Sequence, residues 1–481
     1  MIRKHQTGQA VVWFMATVAA CCSVFALVYN VGAMTNKKEQ TTNAADAAAI
    51  SGAMMEARVL NYEAYANRAM VANEVTIAQL VSLDSWVQYD YWLAQWVANY
   101  GSWIPGVNAF TSSLAQAANA ASNGVNYFVQ ASVPAVEGFN RGLLAVREAA
   151  HYAGGKAANE AAKGVAEANL TNIDNRYDEA PELVMSPYAT SLNYVRWFDF
   201  TDPYTGDGRA AAREVILNSR DAFSANRPVG TFFGGINTVL EILGLGIDYF
   251  EFKKTSGTTT LEGNDHWSAQ DSLDLYHHIP VVGGYRHAPL GYGRADAGSG
   301  DGSNLCNDTE FSFIEFKQVP TVNCQLAQLW GGNDISWMGL PSFRDLAQGL
   351  KKDSPCATKN GSDSPTLLFL AAVQRQRKAA MSTEDLGMYN VDVQGPQGSP
   401  RLVSDLQNNN QLTSISAACV FFLRPDSNDT GAMELRRSDG KHEYASLYNP
   451  YWQARITTAG EDWTDALYTQ IGNIGLNRAT K

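Results

Sequence analysis

The sequence predicts an α+β protein: an N-terminal transmembrane helix continues into a long Ala-rich helix, and a second helical region precedes a mixed α/β extracytoplasmic domain with short strands. Three observations lead to this fold class. They are a charge-free run near the N-terminus, an Ala-rich stretch without proline after it, and a lasting rise in Pro, Gly, Asp and aromatic residues from about Asn172. The predicted ranges are 1–9 for a leader, 10–34 for the transmembrane helix, 35–104 for a helical stalk, 105–172 for the second helical region and 173–481 for the mixed domain.

The run from Ala10 to Met34 is the candidate membrane anchor. Its 25 residues carry no charge, and at about 1.5 Å per residue they give a helix of roughly 37 Å, enough to cross a hydrocarbon core of about 30 Å. The leader is too short to be a domain, so we expect an anchored protein with a cytoplasmic N-terminus and an extracytoplasmic body. The segment from Val18 to Cys21 resembles a lipoprotein box. Because the apolar run continues to Met34, an uncleaved anchor is favoured over lipidation of Cys21.

A helix-packing seam is predicted along the stalk. Small or apolar residues recur every seven positions on two neighbouring lines of the helix, as on a face that packs against another helix. The seam consists of Ala45, Ala48, Gly52, Met55, Val59, Tyr62, Ala66 and Ala69. Glycine inside a helix costs about 1 kcal/mol relative to alanine, so Gly52 indicates close approach by a neighbouring helix. The charged residues outside both lines are predicted to form a solvated face; they are Asp46, Glu56, Arg58, Glu63, Arg68 and Glu74.

An aromatic band marks the end of the stalk. Seven Trp and Tyr residues occur between Trp86 and Trp103. We predict that they pack into the protein's own core, in preference to an oligomer contact or a membrane-interface belt. Pro105 and Gly106 are then expected to end the helix.

Helix-breaking residues and apolar runs predict how the remainder of the chain is divided into helices, strands and loops. The second helical region is predicted to be interrupted near Gly124, Pro134 and the pair of glycines at 154–155. Short strands are predicted at Phe311–Phe316, Thr366–Ala371 and Ala418–Leu423. The glycine-rich segment Gly291–Asn304 indicates a flexible loop.

Charge and cysteine content limit the classes of function. A net charge of −12 argues against nucleic-acid binding, which needs a basic face. Two of the six cysteines fall in the anchor run, and the other four are disulfide candidates: Cys306, Cys324, Cys356 and Cys419. Three pairings are open, of which Cys306 with Cys324 and Cys356 with Cys419 is the simplest without nesting. Paired cysteines indicate an oxidising compartment, whereas a zinc site lacks the CxxC spacing that would support it.

One stretch of the mixed domain is rich in histidine and aspartate. His266, His277, His278 and His287 lie within 22 residues, close to Asp265, Asp271 and Asp274. A metal or acid-base site could be built from them, but the ligand spacings of known metal motifs are absent and surface or structural histidines are the favoured interpretation. Nucleophile-elbow and phosphate-loop motifs are also absent. We therefore predict no catalytic or metal site, no cofactor and no enzymatic activity.

Two motifs flank the anchor at a characteristic separation. The first is Thr7-Gly8-Gln9-Ala10-Val11-Val12, and the second runs from Thr42 to Ala53 with the letters TNAADAAAISGA. Together they resemble the start of TadE/TadG-like proteins of the Tad (Flp-type) pilus machinery, over about the first 55 residues. Less specifically, Ser446–Arg455 is similar to a segment of large members of that group.

The resemblance implies a bitopic pilin-like or pilus-assembly protein of the bacterial inner membrane, with its N-terminus in the cytoplasm and its body periplasmic or at the cell surface. Its expected partners are the lipid bilayer, other pilus-assembly or pilin-like proteins that bind through the N-terminal helix, and further copies of itself. Two departures from the pattern of the family limit the role expected of this chain in a pilus. Many TadG-like proteins carry a von Willebrand factor A domain, whose metal site needs a DxSxS motif, but Asp334–Met338 has only the first half of that motif and no such domain is recognisable here. In addition, Trp13 stands where pilins usually carry glutamate. A minor pilin-like or tip-associated component is therefore expected rather than a major filament subunit.

Three hypotheses about function remain. The leading one is a membrane-anchored structural or assembly component of a Tad-type pilus that serves surface adhesion or secretion. The alternative is a membrane-anchored extracytoplasmic adhesin or binding protein unrelated to pili. The least favoured is a membrane-tethered hydrolase that uses the region from His266 to His287.

Overall fold

Long helices come first along the chain, and strands dominate after residue 250, in the computed structural model of the protein. The structure describes residues 9–101, 107–171, 184–203, 209–228, 237, 250–279, 284–299, 305, 309–312, 317–320, 326, 332–348, 350, 365–376, 411–424 and 443–458. The helices are α1 (Gln9–Gly101), α2 (Asn108–Thr171), α3 (Pro187–Phe200), α4 (Arg209–Asn218) and α5 (Ala222–Ala225). The strands are β1 (Val184–Met185), β2 (Thr201–Pro203), β3 (Phe250–Glu262), β4 (His266–Ile279), β5 (Gly284–Gly298), β6 (Thr309–Ser312), β7 (Lys317–Pro320), β8 (Gly332–Ile335), β9 (Arg344–Leu346), β10 (Leu367–Gln376), β11 (Gln411–Phe422) and β12 (Trp452–Thr457). The mixture of long N-terminal helices and later sheets confirms the predicted α+β order.

The predicted interruptions of the second helical region are wrong. Helix α2 continues through Gly124, Pro134 and both glycines at 154–155. Single helix breakers lower stability locally, but tertiary packing of a long helix outweighs their propensity. The glycines at 154–155 illustrate this, because an added Cβ at either position would lie 3.0 Å from the Trp197 ring. The two glycines allow the Trp197 ring to pack closely against α2, and neither of them interrupts the helix.

The transmembrane helix predicted at residues 10–34 is not confirmed. Among the residues whose side chains are described, no helix is both long enough and apolar enough to cross a membrane. Residues 10–34 do lie within the continuous helix α1. Five side chains of this run lie outside the described part; they belong to Ala26, Leu27, Asn30, Ala33 and Met34.

Spatial contacts divide the chain into two units, and each unit combines helix with sheet. Unit 1 comprises Met1–Tyr65, Ala149–Asp202 and Asp345–Lys481. Unit 2 comprises Ala66–Glu148 and Pro203–Arg344. The domain ranges drawn from the sequence follow changes in composition, and they stay predictions.

The core of unit 1 lies between helices and an antiparallel sheet with the strand order β1-β10-β11-β12. Strands β10 and β11 align Phe369 with Ala418, and they coincide with two of the three predicted strands. Of the third, predicted at Phe311–Phe316, residues 311–312 lie in β6 and residues 313–316 lie outside the described part. Alanines of α1 and α2 meet the sheet in one apolar cluster that includes Phe369 and Trp197. Small side chains let the helix backbones approach the sheet, and burial of the apolar surface stabilises the unit by about 25 cal/mol per Å².

Unit 2 contains a sheet with the strand order β3-β4-β5-β8, in which β8 is parallel to β5 and the other neighbours are antiparallel. The flexible loop predicted at Gly291–Asn304 is wrong for its first part, because residues 291–298 belong to β5. A Cβ at Gly293 would lie 2.0 Å from the carbonyl oxygen of Ser85, and one at Gly291 would lie 2.9 Å from that of Tyr89. Glycine is required here because α1 lies directly on the strand, not because the chain turns.

Candidate functional site

The N-terminal part of α1 exposes its apolar side chains. Every residue from Ala10 to Phe25 is exposed. Trp13 and Phe25 each expose 75% of their surface, and Phe14 exposes 70%. Aromatic and aliphatic groups in this number are normally removed from water, so the segment has the character of an association surface.

Helix α1 changes from exposed to buried within unit 1. Thr41, Ala44 and Ala45 are fully buried, and so are most small residues of the following turns. Two polar contacts tie this part of the helix to β11: Lys38 donates from Nζ to the carbonyl oxygen of Thr413, and Ser414 donates from Oγ to Oγ1 of Thr42 over 3.1 Å. The apolar N-terminal segment is therefore continuous with a helix that is fixed in the body.

The predicted helix-packing seam is mostly buried inside the protein. Ala45, Ala48, Gly52, Val59 and Ala66 are buried, Met55 and Ala69 are partly buried, and Tyr62 is exposed. An added Cβ at Gly52 would lie 2.3 Å from the Phe369 ring of β10. The close approach predicted at Gly52 does occur in unit 1, but the neighbour is strand β10 of the same chain and not another helix. Use of the seam by a partner helix stays a prediction.

The solvated face predicted for α1 is wrong at three acidic positions. Glu56, Glu63 and Glu74 expose at most 1% of their surface, whereas Arg58 and Arg68 are exposed. In each of the three carboxyl groups one oxygen, Oε2, has no hydrogen-bond partner among the described residues. Sequence periodicity missed these residues because carboxyl groups are almost never fully buried without a partner.

In unit 1, the Glu63 carboxyl is paired with a histidine of α2. Its Oε1 lies 2.9 Å from Nδ1 of His151, and both side chains are buried. The His151 ring stacks on Trp197 of α3 at a centroid distance of 5.1 Å. Burial raises the pKa of Glu56 well above its usual range, although Arg196 opposes this effect. These contacts join three helices, and they are structural in character.

In unit 2, Glu74 binds an asparagine of α2. Asn140 donates from Nδ2 to Oε1 of Glu74 over 2.8 Å, and it accepts a hydrogen bond from Asn73 over 2.7 Å. Burial raises the pKa of Glu74 to about 8. The fully buried Arg147 donates to the Oδ1 atom of Asn67 over 2.7 Å. Facing polar groups of α1 and α2 thus hydrogen-bond to one another inside the unit, although Oε2 of Glu74 has no partner among the described residues.

The histidine-rich stretch does not converge on one site. His266 and His277 stand at opposite ends of β4, about 36 Å apart at roughly 3.3 Å per residue. His266 instead lies 3.2 Å from the Oδ1 atom of Asp296. The side chains of His277, His278 and His287 lie outside the described part. Among the described residues no group of acidic, histidine or cysteine side chains could hold a metal ion.

Asp271 of the same stretch anchors a buried ion-pair cluster in unit 2. Its carboxylate lies 2.9 Å from Arg227 and 2.8 Å from Nζ of Lys254, and it accepts a hydrogen bond from Ser85 over 2.9 Å. Asp271 is fully buried. Arg227 and Lys254 both pair with the Asp271 carboxylate. The cluster therefore compensates the buried charge of Asp271 and does not present a general acid or base.

The disulfide candidates are largely beyond the described residues. Cys419 is fully buried in β11. Cys306, Cys324 and Cys356 lie outside the described part of the chain. Their pairing therefore stays a prediction.

The fold and the α1 surface define an α+β protein that exposes an apolar helical segment. Residues 8–55, which include that segment, match the family model described as "Putative Flp pilus-assembly TadE/G-like". The match confirms the resemblance to TadE/TadG-like proteins and supports a role related to the Tad pilus. No curated protein and no solved structure matches the chain.

Proposed function

We propose that this chain is a membrane-anchored structural or assembly component of a Tad-type pilus, minor pilin-like or tip-associated, that serves surface adhesion or secretion. The observation that carries the proposal is the abrupt change along α1. The same helix exposes an apolar surface from Ala10 to Phe25, whereas from Thr41 onward one of its faces is buried in the core of unit 1. The pilus-assembly match covers both parts.

The apolar run at 10–34 is the proposed anchor in the bacterial inner membrane. A helix without charge that offers Val, Phe and Trp side chains suits a lipid bilayer or the apolar helix of another pilus component. The body is proposed to be periplasmic or at the cell surface, with the N-terminus in the cytoplasm. Disulfides among the four body cysteines would be consistent with that compartment.

Deletion of the gene tests the proposal directly. We expect loss of surface filaments in electron micrographs, or loss of surface adherence with filaments retained if the protein is tip-associated. Normal filaments together with normal adherence and secretion would reject the pilus role. Neighbouring genes for a secretin, an assembly ATPase and a prepilin peptidase would support it further.

A charge-insertion variant tests the N-terminal segment. Replacing Val12, Ala16 and Ala20 with lysine places three charges in the apolar segment, and we expect release from membranes by alkaline extraction and failure to complement the deletion. The matched control replaces three exposed polar residues of α2 with lysine; they are Gln116, Asn119 and Asn123. If both variants stayed in membranes and complemented equally, the anchor would be rejected.

The alternative of an adhesin unrelated to pili is favoured by a cavity in unit 2. It has a volume of about 410 Å³, and its lining includes Arg227, Asn237, Glu251, Lys253 and Thr258. The charged and amide side chains of this lining can bind polar groups of a ligand. A deletion strain with normal filaments but reduced adherence, restored by the wild-type gene and not by an Asn237→Leu variant, would favour this alternative.

A further inference from the structure

Helix α2 exposes a continuous apolar face within unit 2. The residues of this face, which we call the α2 stripe, are separated by three or four positions and therefore lie on one side of the helix. They are Phe110, Leu114, Ala117, Ala121, Gly124, Phe128, Ala131, Ala135, Phe139, Gly142 and Val146. All eleven are exposed. Among the large side chains of the stripe, the exposed fraction is 70% at Phe110, 61% at Phe139 and 57% at both Phe128 and Val146.

The opposite face of α2 is buried, and it carries polar as well as apolar side chains. Thr111, Glu137 and Asn140 are buried there beside Val129 and Val133. Only two charged residues occur between 108 and 146, namely Glu137 and Arg141, and they pair with each other at 2.8 Å. A helix that packs on its own unit normally directs its largest apolar side chains toward the core, whereas the phenylalanines of the α2 stripe are exposed. The apolar stripe therefore has the character of an interface.

We propose that the α2 stripe is the surface through which two copies of this chain associate, with Phe128 of each copy at the centre of the contact. The bulky residues are arranged evenly about this centre, because Phe110 and Val146 lie eighteen residues on either side of it. Eighteen residues are five helical turns, so all three side chains project in the same direction. A surface with this symmetry can contact a copy of itself across a two-fold axis.

Small residues between the bulky ones allow close approach of a second helix. Gly124 and Gly142 have no atom within 4 Å of an added Cβ, so the space above them is open. Alanines occupy most of the remaining positions of the α2 stripe. A phenylalanine from one copy can therefore lie between small residues of the other, as in close helix pairs.

The area is sufficient for a specific contact. From Phe110 to Val146 the stripe extends about 54 Å, and with a helix width of about 10 Å it offers roughly 540 Å² on each copy, or about 1,100 Å² in total. A specific interface generally needs more than about 1,000 Å². A second copy supplies an apolar surface of the same length and symmetry.

A membrane surface is a less suitable occupant. Helices that lie on membranes carry lysine and arginine beside their apolar face, and Arg141 is the single basic residue between 108 and 146. The polar residues beside the α2 stripe are uncharged serines, asparagines and glutamines. The surface thus lacks the charges that attract anionic lipid. The proposal rests on α2 alone and does not depend on a pilus role.

Cysteine cross-linking of the full chain in cell membranes tests the contact. The background replaces Cys21 and Cys22 with serine, because both are exposed thiols. In this background Phe128→Cys is expected to give, on oxidation, a product of twice the mass of the chain that contains a 128–128 peptide pair. Tyr127→Cys is the matched control, since Tyr127 is 74% exposed on the same helix but lies about 100° away from the stripe. Absence of the 128–128 product, or equal yield at position 127, would overturn the proposal.

Charge insertion gives an independent measurement on the same pair of positions. Phe128→Glu is expected to convert the detergent-solubilised full chain from dimer to monomer in sedimentation, whereas Tyr127→Glu leaves the dimer intact. Equal denaturation midpoints for both variants would show that the loss is not due to unfolding. A wild-type chain that is monomeric in sedimentation and gives no 128–128 product would overturn the proposal. Loss of vesicle binding in Phe128→Glu, without any 128–128 product, would overturn it in favour of a membrane.

Discussion

Glu63 and His151 form a buried pair that joins α1 to α2 in unit 1. The Oε1 atom of Glu63 lies 2.9 Å from Nδ1 of His151, and neither side chain exposes more than 1% of its surface. His151 is held from its other side as well, because Trp197 stacks on its ring and donates from Nε1 to its carbonyl oxygen over 2.9 Å. One histidine thus connects α1, α2 and α3.

Removal of His151 is expected to destabilise unit 1 strongly. His151→Ala leaves the buried Glu63 carboxyl group without its hydrogen-bond partner, which typically costs about 1–3 kcal/mol. Glu63→Gln keeps a hydrogen-bonding group at this position and is expected to cost less. The free energy of unfolding in urea measures both effects, with the exposed Lys156→Ala as the control on the same helix. Equal midpoints for His151→Ala and Lys156→Ala would contradict a structural role for the pair.

The element types could be read from the sequence because they depend on local composition. The absence of proline from 35 to 100 and the abundance of alanine predicted α1, and two apolar runs predicted the parts of β10 and β11 that contain Phe369 and Ala418. These signals come from propensity and from the burial of contiguous apolar side chains.

The contacts of those elements could not be read from the sequence. The glycines at 291 and 293 look like a loop in sequence, yet they lie in a strand directly against α1. Likewise, the carboxyl groups at 56, 63 and 74 look solvated, yet they face partners that lie far along the chain. Asn140, for example, is 66 positions away from Glu74. Long-range pairing of this kind leaves no periodic pattern in either segment.

Gly52 and Gly164 are both helical glycines, and their substitution is expected to have opposite effects. An added Cβ at Gly52 would lie 2.3 Å from the Phe369 ring, whereas one at Gly164 has no atom within 4 Å. Gly164→Ala should therefore stabilise α2 by about 0.5–1 kcal/mol through helix propensity. Gly52→Ala should destabilise unit 1 by about 1–3 kcal/mol, as for other overpacked cores.

Denaturation of the two glycine variants against wild type measures both changes. The smaller side chain of Phe369→Leu should restore part of the stability lost in Gly52→Ala. A stabilising effect of Gly52→Ala would show that this close contact does not constrain the fold.

Alkylation of the unfolded protein tests the predicted disulfides. Cys21 and Cys22 are free thiols, so without reductant we expect modification of these two cysteines alone. After reduction all six should react. Peptide mapping of the non-reduced protein then distinguishes the three pairings of the body cysteines. Modification of all six without reductant would contradict both the disulfides and the oxidising compartment inferred from them.

Glu74 is expected to make unit 2 less stable as the pH rises. Burial raises its pKa from 4.5 to about 8, although Asn140 donates a hydrogen bond to the carboxyl group. Between these two values the unfolded state has lost the proton that the folded state keeps, so the free energy of unfolding falls with rising pH by up to about 1.4 kcal/mol per unit. The contribution is complete below pH 4.5 and lost above about pH 8. Urea unfolding at pH 5, 7 and 8.5 measures the change of the free energy of unfolding with pH, which Glu74→Gln should make smaller. The control is Glu160→Gln, at an exposed position of α2, which should leave the pH dependence unchanged. The same slope in wild type and Glu74→Gln would show that the buried carboxyl group does not retain its proton on folding.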